Sequence, residues 1–202
     1  MKTLWKRLCR RPAAVLYGLG AAGLVLYMLA NFALDSILYT AGVLREQTVT
    51  LADTALYQLV DLEQTGPDTL TSRTGDAQLL LTPGQPVRRL RLVAEYGAGS
   101  HERDLYYHLP GGGYSARLRV WPVRTADGAG WVYTVPRWAG QNVRLDLVDT
   151  APVTVRVTAI VLNERLPWYR YFIPAPWHLF WLAVLPGLLA CAVTLRRPGK
   201  NP

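Results

Sequence analysis

The chain has 202 residues, half of them hydrophobic, and a formal net charge of +8. This length allows one ordinary domain together with membrane segments. The charge does not indicate nucleic-acid binding, because eight basic residues outside two long apolar segments equal the whole excess, and the fourteen arginines between them balance the fourteen acids. Those eight residues are Lys2, Lys6, Arg7, Arg10, Arg11, Arg196, Arg197 and Lys200.

The first predicted element is a membrane-spanning helix over residues 13–38, which follows a basic tail over residues 1–12. No charged residue occurs from Ala13 to Ala30, and the apolar run from Ala13 to about Leu34 can cross roughly 30 Å of hydrocarbon. A cleaved signal peptide is the alternative, but its apolar stretch is usually shorter. We therefore expect a retained anchor.

The segment 17–23 of this helix reads YGLGAAG and matches the G-x-G-x-x-G fingerprint of dinucleotide-binding loops. That loop follows a buried strand and needs an acid about 20 positions further on. Here a basic tail precedes it and Asp35 lies too close, so a glycine-rich membrane helix is favoured. Small residues spaced by four allow close helix packing against the second segment, another copy or a different membrane protein. They are Ala14, Gly18 and Ala22 in the first segment, and Ala183 and Gly187 in the second.

Residues 45–165 are predicted to form a β-sandwich outside the membrane. Apolar and polar residues alternate over short segments separated by glycine- and proline-containing turns, which is typical of sandwiches and jelly rolls. In the last predicted strand, the alternation places Val153, Val155, Val157, Ala159 and Val161 on one face. The predicted strands are 55–62, 77–82, 87–96, 104–109, 116–123, 130–135, 142–149 and 153–163.

Four segments of this region carry a resemblance to a known family: SRTGDAQLLLTPGQPVRRLRL, YYH, YTVPRWAGQNVRLDL and VTVRVTAIVLNE. Together they resemble the galactose-binding-like jelly rolls of bacterial membrane glycosyltransferases and polysaccharide-assembly proteins. Asp76 and Gln78 match an early step of that pattern, where Ala77 replaces a proline, and Arg144 and Asp146 match a late strand. The resemblance covers roughly residues 55–165 and implies a jelly-roll-like fold.

A second membrane-spanning helix is predicted over residues 174–195, followed by a basic tail over residues 196–202. Aromatic residues crowd its entry, as in the interfacial belts of membrane proteins. Basic residues beyond both outer ends place both termini in the cytoplasm, and the central domain outside the cytoplasmic (inner) membrane. Cys9 and Cys191 both lie outside the central domain, so that domain has no disulfide framework. The predicted fold is thus an all-β, jelly-roll-like sandwich flanked by two transmembrane α-helices.

The candidate binding residues are arginines on the polar faces of the predicted strands, together with aromatic residues. Guanidinium groups bind anionic groups, and exposed rings stack on sugars, so these residues predict a glycan-binding or anionic-polymer surface. The alternative is a solvated sheet face on which the arginines pair with Glu95 or Asp146. The candidates are Arg89, Arg91, Arg117, Arg119, Trp121, Tyr106 and Tyr107.

No catalytic or metal-binding arrangement is visible in the sequence. The HLPGGGY loop lacks an accompanying G-x-S-x-G nucleophile motif, and Glu102 and Asp104 are expected in a loop around Arg103. We therefore predict no cofactor and a non-enzymatic, glycan-binding or accessory role in envelope polysaccharide assembly. A protein-binding subunit of a larger membrane complex is the alternative, and an envelope hydrolase is less favoured. The predicted partners are the lipid bilayer, a cell-envelope glycan, and a larger membrane protein or a second copy.

Overall fold

A computed structural model of the chain describes residues 11–99 and 101–195. It divides into two units. One unit is Leu38–Arg165, and the other contains the described residues up to Ile37 and from Leu166 onward.

The helical unit contains two helices that are long and apolar enough to cross a membrane. Helix α1 is Pro12–Thr40, and helix α2 is Pro176–Leu195, preceded by a 3-10 turn at Trp168–Phe172. Most side chains of both helices are exposed although they are apolar, which is the pattern that a lipid environment favours. Pro12 occupies the first helical position, where its missing N–H would have no partner in any case.

The central unit contains twelve described strands in two antiparallel sheets. The bounds are β1 Gln47–Val49, β2 Tyr57–Val60, β3 Leu62–Gln64, β4 Thr69–Ser72, β5 Ala77–Leu81, β6 Arg89–Tyr96, β7 Asp104–Tyr107, β8 Arg119–Val120, β9 Val123–Arg124, β10 Trp131–Thr134, β11 Val143–Val148 and β12 Thr154–Leu162. The seven-stranded sheet has the order β3-β4-β12-β6-β10-β9, with β1 also paired to β12, and the five-stranded sheet has the order β2-β5-β11-β7-β8.

Leucines and valines from both sheets form one buried core. Leu79, Leu105 and Leu145 of the five-stranded sheet belong to the same cluster as Leu92 and Val155 of the seven-stranded sheet. Burying each such side chain contributes about 1.5–3 kcal/mol, so this shared core is the main stabilising feature of the domain. The predicted sandwich between two apolar helices agrees with this architecture.

The prediction that Val153, Val155, Val157, Ala159 and Val161 share one face is wrong beyond Val157. The pairing of β12 with β6 shifts between Val157 and Ala159, which is a β-bulge. A bulge inserts one residue and reverses which side chains face inward. Ile160 and Leu162 therefore belong to the core in place of Ala159 and Val161.

The predicted strand at 116–123 is instead two short strands in different sheets. β8 pairs with β7 in the five-stranded sheet, whereas β9 pairs with β10 in the seven-stranded sheet. Pro122 lies between them and has no N–H to donate to a ladder. The three short strands β1, β3 and β4 lay outside the sequence prediction.

Candidate binding face of the five-stranded sheet

Cross-strand pairing brings polar side chains from four strands together on the outer side of the five-stranded sheet. Tyr106 of β7 lies opposite both Arg144 of β11 and Arg119 of β8. Asp146 of β11 lies opposite both Asp104 and Gln78. Because side chains alternate along a strand, the leucines between these residues point to the core. We call this set the polar face: Gln78, Asp104, Tyr106, Arg119, Arg144 and Asp146.

The carboxylates of the polar face lie beneath its arginines. Nη1 of Arg119 is 3.3 Å from Oδ2 of Asp104, and Nη2 of Arg144 is 2.8 Å from Oδ2 of Asp146. The Asp104 side chain is 1% exposed, whereas the Arg119 side chain is 36% exposed. The buried acids therefore hold the guanidinium groups at the surface.

Aromatic rings stack with both arginines. The guanidinium carbon of Arg119 is 4.0 Å from the ring centre of Trp121, and that of Arg144 is 4.3 Å from Tyr106 and 5.6 Å from Tyr114. Each such cation–π contact contributes about 0.5–1 kcal/mol at an exposed site. Trp121 is 62% exposed, so most of its ring remains available to a ligand.

Burial raises the pKa values of the two acids. It raises the pKa of Asp146 to about 6, against the opposing effect of Arg144 and with a smaller upward contribution from Glu102. Burial also raises the pKa of Asp104, with Arg119 opposing. Within the described residues, the buried Oδ1 atoms of Asp104 and Asp146 have no hydrogen-bond partner, which disfavours the charged form further.

Neighbouring groups continue this polar layer. The hydroxyl of Tyr106 donates a hydrogen bond to Oε1 of Glu102 at 2.8 Å. Nε2 of Gln78 donates to Oδ1 of Asp76 at 2.9 Å. These bonds orient the side chains at both sides of the arginine pair.

Only part of the predicted binding set lies on this face. Arg119 and Tyr106 do, although Tyr106 is buried, and Trp121 stacks on Arg119 at the edge of this face. Arg117 lies in the exposed turn before β8. Tyr107 points to the core instead, because alternation along β7 places it on the side opposite to Tyr106. The centres of the Tyr107 and Trp138 rings are 5.4 Å apart. Asp104 is the first residue of β7, as the predicted strand 104–109 has it, and does not lie in a loop around Arg103.

Arg89 and Arg91 belong to the seven-stranded sheet, so the structure does not bring them to the polar face. Arg89 is buried, and its Nη1 donates to the carbonyl oxygen of Glu164 at 3.1 Å. Nε of Arg91 is 3.1 Å from Oε2 of Glu164. Both arginines therefore bind the segment that follows β12, and Arg91 pairs with Glu164 rather than with Glu95 or Asp146, the two acids named as alternative partners of the arginines.

The predicted packing stripe of α1 does not contact α2. A Cβ on Gly18 would meet no atom of the described chain within 4 Å, whereas one on Gly20 would lie 2.9 Å from Cδ1 of Leu182. Two residues correspond to about 200° around a helix, so these glycines lie on nearly opposite faces. Packing of Gly18 on α2 is thus wrong, and Ala14 and Ala22 are likewise exposed. Packing of this stripe on another protein stays a prediction.

The small residues of α2 lie near the helix contact. The hydroxyl of Tyr17 donates to the carbonyl oxygen of Ala183 at 2.7 Å. A Cβ on Gly187 would lie 3.2 Å from the same hydroxyl oxygen. Ala183 and Gly187 therefore lie beside the Tyr17 side chain rather than against the backbone of another helix.

Sequence reasoning missed Asp104, Tyr114 and Arg144 as members of one surface. For Asp104 and Arg144 the signal was the polar parity of β7 and β11, but alternation along a strand does not reveal which strands are neighbours. Tyr114 lies in the loop before β8, where no such pattern exists. In the part of the chain that the structure describes, no group of three or more His, Cys, Asp or Glu side chains could hold a metal ion.

The fold defines a class of protein in which a β-sandwich is preceded and followed in the chain by helices that are long and apolar enough to cross a membrane. Comparisons of the chain with protein-family models, with curated proteins and with solved structures found no match. The polar face itself is therefore the basis for any functional conclusion.

Proposed function

We propose that this chain is a membrane-anchored, non-enzymatic protein that binds a glycan through its polar face. The glycan belongs to the cell envelope, and the role is an accessory one in polysaccharide assembly. The sandwich lies outside the cytoplasmic membrane, with both termini in the cytoplasm. The basic residues beyond each apolar segment support this topology.

The observation that carries the proposal is the exposed stack of Arg119 on Trp121, 4.0 Å apart. An exposed indole ring offers an apolar surface to the face of a sugar ring. The guanidinium beside it offers directed hydrogen-bond donors to sugar hydroxyl oxygens. Because Asp104 fixes the guanidinium from below, little side-chain entropy remains to be lost on binding.

The charges of the polar face favour a neutral glycan over an anionic polymer. Arg119 and Arg144 are each paired with a carboxylate, and Glu102 adds a further acid beside Tyr106. An anionic ligand would have to compete with these buried carboxylates for the same guanidinium groups. A hydroxyl-rich neutral sugar needs no such exchange.

The same geometry supports a non-enzymatic role. A glycosidase uses two carboxyl groups that reach the scissile bond from opposite sides. The side chains of Asp104 and Asp146 are 1% and 4% exposed, and each directs one oxygen to an arginine. These acids position the binding residues rather than meet a substrate.

A jelly-roll fold of the galactose-binding-like kind remains part of this proposal. The antiparallel sheets and the place of Arg144 and Asp146 on the outer face of β11 support it. In such a fold the sheet surface, rather than a deep pocket, would receive the ligand.

A protein-binding role is the second candidate, and the exposed side chains at β8 and β9 favour it. Both strands lie at sheet edges, and Trp121 and Val123 are 62% and 66% exposed. Exposed edge strands pair readily with an added strand from another chain. A protein partner would then cover the tryptophan that the first proposal gives to a sugar.

Glycan arrays probed with the full chain in lipid nanodiscs test the proposal, and sugar-based detergents are avoided because they would compete. We expect binding to neutral oligosaccharides, weakened about fivefold to tenfold by Trp121→Ala, the size of a lost aromatic contact. Trp138→Ala is the matched control, since it removes another exposed tryptophan. Absence of binding, or equal loss in both variants, would contradict the proposal.

A further inference from the structure

A separate polar cleft lies in the central unit, near the two points where the chain enters and leaves that unit. It has a volume of about 550 Å³ and is lined by residues from segments 42–47 and 83–86. None of its lining residues belongs to the polar face.

The two walls of the cleft are fixed to each other by Gln85. Its Oε1 accepts a hydrogen bond from the backbone N–H of Arg45 at 2.7 Å, and its Nε2 donates to the backbone oxygen of Arg45 at 3.0 Å. The same Nε2 lies 3.1 Å from Oε1 of Gln47. This bracing means that the cleft exists before a ligand arrives.

The cleft carries one positive and one negative side chain that do not pair with each other. Nε of Arg45 donates to the backbone oxygen of Gly42 at 3.0 Å, which leaves the two Nη groups without a hydrogen-bond partner among the described residues. Oε2 of Glu46 accepts from the backbone N–H of Arg165 at 3.1 Å. Its charge faces no cation within ion-pair distance in the described chain.

Both chain connections of the cleft are short. Arg45 follows the end of α1 at Thr40 by five residues, which limits their separation to about 18 Å. Arg165 precedes the aromatic turn Trp168–Phe172 by three residues. Tryptophan and tyrosine side chains concentrate at the headgroup level of bilayers, and only a few residues of chain separate the cleft from α1 and from this aromatic turn.

We propose that this cleft binds the phosphoethanolamine headgroup of a membrane lipid. The two Nη groups of Arg45 bind the phosphate, for which a guanidinium is well suited. The carboxylate of Glu46 accepts a hydrogen bond from the ammonium. The positive Arg45 and the negative Glu46 thus match a headgroup that carries one negative and one positive charge.

The ammonium distinguishes this headgroup from other lipids. A phosphocholine headgroup has the same charges, but its quaternary nitrogen has no hydrogen to donate to Glu46. A phosphoglycerol headgroup has no positive charge and places its net negative charge beside that carboxylate. Phosphoethanolamine is the headgroup that satisfies both residues.

Native mass spectrometry of the full chain in a polyoxyethylene detergent tests this site, with phosphatidylethanolamine, phosphatidylcholine and phosphatidylglycerol of equal acyl chains as probes. We expect the ethanolamine lipid to bind about tenfold more tightly than either other lipid, the size of one charge-assisted hydrogen bond. Arg45→Gln should weaken the ethanolamine and choline lipids about equally. Glu46→Gln keeps an acceptor for Arg165 but should remove the preference for ethanolamine over choline.

Arg73→Gln is the matched control, since it removes an exposed arginine outside the cleft that pairs with Glu63 at 3.1 Å. It should change no lipid affinity. Soluble glycerophosphoethanolamine should displace the lipid from the wild type, which separates headgroup recognition from acyl-chain contact. Equal affinities for the three lipids, equal effects of Arg45→Gln and Arg73→Gln, or failure of the soluble headgroup to compete would each overturn the proposal.

Discussion

The two sheets of the sandwich use arginines from the same kind of sequence pattern in different ways. On β6, Arg89 and Arg91 bind the Glu164 backbone and side chain and so fix the segment that leaves the sandwich. On the five-stranded sheet, Arg119 and Arg144 lie on buried carboxylates and stack with aromatic rings. Period-two alternation therefore predicts which side of a strand an arginine occupies, but the neighbouring strands decide whether it serves stability or binding.

The largest expected effect concerns the arginine that is buried. Arg89→Ala should lower the free energy of unfolding of the sandwich by about 2–3 kcal/mol, because a buried hydrogen bond from a charged group is lost. Denaturant titration of the full chain measures this. Glycan affinity of the folded variant should stay unchanged. A weakened affinity without a loss of stability would place Arg89 in the binding group and remove the contrast between the sheets.

An effect of comparable size is a dependence of stability on pH that arises from Asp146. Its pKa of about 6 in the folded state lies above its ordinary value of 3.8, so the folded state binds a proton more tightly than the unfolded state. Stability from this group is fully present below about pH 4 and is lost as the pH rises through 6, by about 3 kcal/mol. Asp146→Asn should flatten this part of the stability profile, measured by denaturation at several pH values. Parallel profiles for variant and wild type would contradict the assignment.

A third effect separates the two faces of α1. Gly20→Leu should weaken the contact between the helices by about 1–2 kcal/mol, because a Cβ at that position already lies 2.9 Å from Leu182. Gly18→Leu should leave this contact unchanged. The yield of a bismaleimide cross-link between cysteines placed at positions 17 and 183, in a background without Cys9 and Cys191, reports the contact. Loss of the cross-link in the Gly18 variant alone would support the predicted packing of Gly18 on α2.

The smallest effect compares two members of the predicted arginine set, the exposed Arg119 and the half-buried Arg91. Arg119→Gln should weaken binding of a neutral oligosaccharide about fivefold, the size of a cation–π contact together with part of a hydrogen bond. Arg91→Gln should leave the affinity unchanged, since Arg91 pairs with Glu164 in the other sheet. Isothermal titration with the full chain in nanodiscs measures both. A larger loss for Arg91 would move the site to the seven-stranded sheet.

The sequence was sufficient to predict a sandwich between two apolar helices. Alternation of apolar and polar residues indicates strands with one buried face, and long uncharged apolar runs indicate helices that suit a lipid environment. It was insufficient for the inward side of β12, since the bulge after Val157 leaves no mark in the pattern of valines. It also failed for Asp104 and Arg119. Their meeting depends on β7 and β8 being neighbours, which is a property of topology rather than of local composition.

The same limit applies to the glycines of α1. Spacing by four residues identifies a helix face on which close packing is sterically allowed. It does not specify which face contacts α2, and the structure uses Gly20 rather than Gly18. Complementary side chains on the opposite helix, Leu182 and Pro186, determine the contact.

The central claim is that the ligand lies on the polar face, against Trp121. The most direct measurement is the indole NMR spectrum of the full chain in nanodiscs during titration with the tightest-binding neutral oligosaccharide, with the Trp121 signal assigned from Trp121→Phe. We predict that the Trp121 signal shifts in a saturable manner, while that of Trp131, which packs against Tyr96 in the other sheet, does not. A shift of Trp131 with an unchanged Trp121 signal would contradict the claim.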